Sequence, residues 1–187
     1  MSFPLDPVGV VVARAVRWSA SVALARDVIA LRSYPADMAS TLTRLLIHIV
    51  FSTKHREAMI AVEDEPDLYA YIGGTCRGMG SPLLAMGGTC DHVHLLVSLS
   101  KTVSLSDLML NIKRDSSKWM KEHRESLRSF GWQDGYFAFS IGESAVEKTR
   151  EYIARQKEHH ASVDFKDEVR TFLRKYGVEW DERYVWD

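Results

Sequence analysis

Asp91-His92-Val93-His94-Leu95-Leu96-Val97-Ser98 alternates in character, so an extended reading sends Val93, Leu95 and Val97 to one side and both histidines to the other. The stretch is therefore a strand with an apolar face and an imidazole face. Working upstream, Gly87-Gly88 reads as the turn of a hairpin joining a strand over 82–86 to one over 89–99. Residues 43–53 alternate again, with Leu45, Ile47, Ile49 and Phe51 forming one strongly apolar face. Between these lies a helix expected from Pro66 to about Arg77, with Glu63, Asp64 and Glu65 at its positive end. Downstream, Ser104 caps an expected helix reaching His123, and residues 136–141 read as a short strand. Ser144 and Glu147 match a capping box ahead of a helix to about His160. A last helix near 165–176 precedes an aromatic tail with Trp180, Tyr184 and Trp186. The order β, α, β, β, α, β, α predicts an α+β fold: a ferredoxin-like or RRM-like antiparallel sheet with helices mainly on one face.

Composition narrows the functional classes. The 187 residues carry 24 Lys+Arg against 25 Asp+Glu, a net charge of −1. Any nucleic-acid site must therefore be a local patch rather than a general basic coat. A (β/α)8 barrel needs about 250 residues, so the large barrel hydrolases are excluded. Two cysteines, Cys76 and Cys90, supply neither a disulfide framework nor a four-thiolate zinc site, and a reducing cytoplasm is the expected home. The apolar runs fall far short of a spanning helix, and Asp6 and Arg14 spoil a secretion signal, so no membrane association is expected. Residues 1–37 show neither strand alternation nor a helical apolar face, and Pro35 breaks them. They read either as an upstream stretch from a start codon placed too early or as a genuine N-terminal extension. The regular domain is expected over 38–187.

Two constellations carry chemistry. Neutral imidazoles of His92 and His94, neighbours on one face of a strand, can reach one divalent ion; the plain alternative is two surface histidines opposite a core face. Tyr152 and Gln156, four apart on a helix, share a face; a phenol can act as a covalent nucleophile and an amide oxygen as a hard ligand. Amphipathic packing is the plain alternative for that pair.

The chain from Met38 to Asp187 resembles the single-tyrosine HUH transposases of small insertion sequences, the transposase IS-two-hundred-like family. The similarity rests on His48-Ile49-Val50-Phe51-Ser52-Thr53-Lys54, Gly87-Gly88 leading into 91–98, and Lys113-Arg114-Asp115-Ser116-Ser117-Lys118-Trp119. It continues through residues 132–144 (WQDGYFAFSIGES) and 152–160 (YIARQKEHH). The resemblance implies that His92, His94 and Gln156 hold Mg2+ or Mn2+ and that Tyr152 is the nucleophile. It further implies cleavage and rejoining of single-stranded transposon ends bearing hairpins, through a five-prime phosphotyrosine and a free three-prime hydroxyl. A homodimer is implied, with the tyrosine helix in cis or in trans.

A single-strand groove needs local positive charge, and the candidates are Lys54, His55 and Arg56 after the first strand and Lys113, Arg114 and Lys118 on the second helix. Residues 101–124 hold six Lys/Arg against three Asp/Glu. His48 reads as a sheet-surface residue, Cys90 as an idle thiol, and His159 and His160 receive no role. Three other functions compete: a domesticated relative processing repeated genomic palindromes, a catalytically idle nucleic-acid-binding module, and a metal-dependent small-molecule hydrolase.

Overall fold

The structure, a computed structural model, describes residues 41–186, so the stretch 1–37 and the boundary placed after it lie outside the described residues. Strands β1 (Leu45–Ser52), β2 (Leu83–Gly88), β3 (His92–Leu99) and β4 (Phe137–Ser140) form one antiparallel sheet in the order β2-β3-β1-β4. Helix α1 (Glu65–Gly78) links β1 to β2, and α2 (Leu105–His123) links β3 to β4. After β4 come α3 (Val146–Ala154), α4 (Gln156–His159) and α5 (Phe165–Lys175). The expected α+β topology is present, with β1 and β3 at its centre.

Alternation does what the pattern required. Ile49 and Phe51 of β1 and Val93, Leu95 and Val97 of β3 are fully buried against Leu68 and Ile72 of α1 and Leu108 and Ile112 of α2. Burying each such side chain contributes on the order of 1.5–3 kcal/mol, which makes this layer the main core. Ser104 caps α2 by accepting from the Asp107 N–H at 3.0 Å.

The second sheet face is covered too. Leu46 and Leu96 pack with Val146 and Ile153 of α3, while Val50 and Phe139 pack with Phe165, Val169 and Leu173 of α5. The histidines on this side therefore lie under a lid of two short helices rather than in solvent. His48, expected at the sheet surface, is 2% exposed.

Two local expectations are corrected. Gly87 and Gly88 belong to β2, opposite His94 and Val93, and the turn follows at 89–91. Their lack of a side chain serves packing, since a Cβ on Gly87 would stand 2.2 Å from the Ile153 carbonyl oxygen of α3. The second correction concerns the tyrosine helix. Ser144 lies in a single 3-10 turn, Glu143–Ala145, and α3 starts at Val146 without a side-chain cap. The helix then breaks at Arg155 (φ −102°, ψ 18°), whose N–H is shared between the carbonyls of Glu151 and Tyr152, so Tyr152 and Gln156 sit on successive short helices.

Candidate metal and tyrosine site

Strand β3 brings His92 and His94 up beneath α3, α4 and α5. The Nε2 of His92 lies 3.0 Å from the Nε2 of His160, and the Nε2 of His94 lies 3.4 Å from Oε2 of Glu168. That same Glu168 oxygen is 3.1 Å from His160 Nε2. Donor atoms of His92, His94, His160 and Glu168 all fall within 4.8 Å of one another. The two strand histidines and Glu168 are nearly inaccessible.

Each imidazole is held from behind. The Nδ1 of His92 lies 2.7 Å from Oδ1 of Asp91, which also accepts from the Thr89 hydroxyl, while Oδ2 of Asp91 pairs with Arg56 at 3.0 Å. Burial alone would raise the Asp91 carboxyl, but the bonds from His92 and Thr89, with Arg56 nearby, hold it well below the usual carboxylate range. The Nδ1 of His94 meets His48 Nε2 at 3.0 Å, and the Nδ1 of His160 donates to the Val163 carbonyl at 2.8 Å. All three rings thus present Nε2 inward, the usual arrangement when a ring's outer nitrogen is fixed by a hydrogen bond.

Glu168 joins the two constellations found in the sequence. Its Oε1 accepts from the Tyr152 hydroxyl and, at 3.3 Å, from the Gln156 amide. Burial and then the Glu168 charge raise the phenol above its ordinary value. Burial opposes ionisation of Glu168, yet the adjoining His160 and His94 imidazoles and the bond from the Tyr152 hydroxyl hold its carboxyl far below the usual range. The acid is therefore an anion among imidazoles.

The donor set fits the divalent ion that the resemblance implies. His94 Nε2 and Gln156 Oε1 are both buried and without hydrogen-bond partners, and an ion is what such atoms can ligate. Sequence reading singled out His92, His94, Tyr152 and Gln156, and all four lie in this one cluster. It missed His160, Glu168 and Asp91. One signal for Glu168 was legible: residues 165, 168, 169, 172 and 173 make an apolar helical stripe in which a carboxylate stands out.

The expected DNA contacts do not form one patch. Lys54, Lys113 and Arg114 line a groove of about 590 Å3 with Lys121, Trp132 and Tyr136. Within it the Lys113 ammonium donates to the carbonyls of Gln133, Asp134 and Gly135 at 2.9, 3.1 and 2.5 Å, a structural duty. Arg114 bonds Asp115 and Asn111, each at 2.7 Å. Arg56 lines a separate cleft with Asp91, His92, Lys157 and His160. Lys118 is exposed beside Glu122, at 3.9 Å. In the tail, Trp180 and Trp186 pack against the Val50, Phe139 and α5 cluster of their own chain.

Comparison with known proteins bears on the family and the fold. The chain is 27% identical over 128 residues to the transposases for insertion sequence element IS200 of Salmonella typhimurium and Salmonella typhi, covering 65% of this chain and 83% of each. Among solved structures, it is similar to a transposase structure from Deinococcus radiodurans (TM-score 0.51, 20% identity, 64% of this chain and 95% of that one). It also resembles a REP-associated tyrosine transposase bound to a REP hairpin (TM-score 0.50, 16% identity, 79% and 92%). The family described as transposase IS200 like matches residues 41–156, and with more than half of its sequence inside that match this chain belongs to the IS200-like transposases.

Proposed function

We propose that this transposase cleaves and rejoins single-stranded DNA ends through a covalent five-prime phosphotyrosine on Tyr152, with His92, His94 and Gln156 as ligands of Mg2+ or Mn2+. The observation that carries the reading is Glu168, whose one carboxylate bonds the Tyr152 hydroxyl through Oε1 and faces His94 and His160 through Oε2. A nucleophile and an imidazole cluster thereby share one small space, with the Tyr152 and His94 rings 6.0 Å apart.

A bound divalent ion supplies positive charge that offsets the developing charge on the scissile phosphate. The chain's own residues do the rest. Glu168 fixes the phenol's direction and is the nearest acceptor for its proton. The Tyr152 oxygen forms a bond to phosphorus while the bond to the three-prime oxygen breaks, and that oxygen leaves with a proton from solvent. The energy of the phosphodiester is kept in the phosphotyrosine, so a three-prime hydroxyl can reverse the step at a new junction without ATP. Asp91 and His48 hold the two strand imidazoles in register. Lys54, Arg114 and Lys121 along the groove offer charge for a single strand, with Trp132 and Tyr136 as aromatic lining. Arg56 and Lys118 remain candidate phosphate contacts at separate places on the surface.

The likeness to a hairpin-bound tyrosine transposase supports hairpin-bearing ends as the substrate class. A homodimer belongs to the same reading and is checked by light scattering. The deciding experiment incubates the full chain with labelled hairpin-containing single strands and MnCl2. Wild type should form a protein–DNA adduct that Tyr152→Phe abolishes while leaving binding intact. Adduct formation by Tyr152→Phe would remove that residue from the mechanism, and binding without any adduct would favour the idle module.

A further inference from the structure

The paired nitrogens of His92 and His160 pose a chemical problem. Asp91 fixes the Nδ1 of His92, and the Val163 carbonyl fixes the Nδ1–H of His160. Each neutral ring then has a bare lone pair on Nε2, and the two lone pairs point at each other across 3.0 Å. Only a cation or an extra proton between them relieves the repulsion. His94 Nε2, buried and unpartnered, borders the same space, as does the Oε2 of Glu168.

The span suits one ion. Nitrogen and oxygen donors stand about 2.0–2.2 Å from a small divalent metal, so opposite donors are about 4.4 Å apart. The four donors here need to contract only slightly from their 4.8 Å limit. We infer that His160 and Glu168 join His92, His94 and Gln156 at the ion site, and that the site takes a divalent transition ion such as Mn2+ in preference to Mg2+. This rests on the proposed reading of the HUH histidines as ligands and adds donors to it.

The preference follows from the donor set. Mg2+ favours oxygen, demands regular octahedral geometry and gives up its waters reluctantly. Three imidazoles suit transition ions, and a nearly inaccessible site favours an ion that sheds water. The single carboxylate neutralises one of two charges, leaving the site positive towards a phosphate. Because that carboxylate also holds Tyr152, ion and nucleophile are coupled through one side chain.

The test is calorimetric titration of the chelator-treated full chain with MnCl2 and with MgCl2, for wild type, Glu168→Gln and His160→Gln, with circular dichroism checking that each folds. The expected result is one Mn2+ per chain, bound at least about 100-fold more tightly than Mg2+, and a loss of about 10-fold to 100-fold in each variant. Unchanged Mn2+ affinity in folded variants, or equal affinities of wild type for the two ions, would overturn the inference. Electron spin-echo modulation of wild type with Mn2+ needs no variant: three coupled imidazoles are expected, and two would exclude His160. Adduct formation is scored separately. If wild type forms the adduct while Glu168→Gln keeps its Mn2+ affinity, this inference fails and the transposition chemistry stands. If wild type binds Mn2+ tightly with three coupled imidazoles and a loss in Glu168→Gln, yet forms no adduct, the ion site stands and the transposition chemistry fails.

Discussion

His92 and His160, separated by 68 positions in the chain, meet nitrogen to nitrogen at 3.0 Å beneath the lid of short helices. A ligand that binds the folded chain and not the unfolded one stabilises it, by about 2.7 kcal/mol at 100 times its dissociation constant. For a domain of this size each kcal/mol moves Tm by roughly 2–4 °C. Adding saturating MnCl2 should therefore raise Tm by about 5–10 °C in scanning calorimetry, and excess EDTA should reverse the gain. A Tm indifferent to both reagents would argue that the cluster holds a proton alone.

Asp91 fixes His92 from behind and is itself held by Thr89 and Arg56. Asp91→Asn keeps the shape and removes the anion. The expected consequence is a loss of about 10-fold to 100-fold in Mn2+ affinity by titration calorimetry, with the circular dichroism spectrum unchanged.

Gly87 carries a prediction about the tyrosine helix. A methyl group at this position would come within 2.2 Å of the Ile153 carbonyl, one residue beyond Tyr152. Backbone atoms cannot swing aside as a side chain can, so α3 must shift. Gly87→Ala should cost about 1–3 kcal/mol in urea unfolding and slow adduct formation by more than the stability loss explains. An unaltered adduct rate would show that α3 need not sit where it does.

Lys113 looks like a DNA contact in the sequence, yet its ammonium ties down three successive carbonyls in the segment just ahead of β4. Lys113→Met keeps an unbranched side chain but removes the ammonium that stands over the Phe51 and Tyr136 rings and leaves those carbonyls without their charged donor. We expect a destabilisation of about 1–3 kcal/mol. In filter binding with single strands, Lys121→Ala should weaken affinity more than Lys113→Met at equal folded fraction.

His48 gives a pH dependence whose sign can be worked out for the metal-free protein. Burial, and then the neighbouring His94, push its pKa down to about 3 from an ordinary 6.5. Between those values the unfolded chain binds the additional proton, so stability falls as the solution is acidified, by at most about 1.4 kcal/mol per pH unit. Above about pH 6.5 both states are neutral and the contribution is constant. Urea midpoints at pH 7 and pH 5 should therefore differ less for His48→Gln than for wild type.

The sheet was legible because β1 and β3 alternate with period two and Ser104 and Pro66 mark helix starts in plain sequence. The turn after β2 was misplaced because paired glycines usually signal a reversal, whereas Gly87 answers to the approach of Ile153 from α3 and Gly88 to the His92 carbonyl across the turn. The capping box at Ser144 failed for a related reason, since a 3-10 turn occupies its residues. His92, His94, Tyr152 and Gln156 were found through motif spacing. His160 escaped because its partners lie on other elements, and proximity in space leaves no local periodicity; Glu168 showed only as a carboxylate within the apolar stripe of α5. Burial of His48 escaped likewise, because the helices covering it are far along the chain.

The family match ends at residue 156, ahead of both His160 and Glu168. The matched stretch carries the strand imidazoles, the phenol and the Gln156 amide, while His160 and Glu168 stand on the segment that follows it. Substitutions at His160 and Glu168 alone would therefore retune the ion preference while leaving every residue of the matched stretch in place.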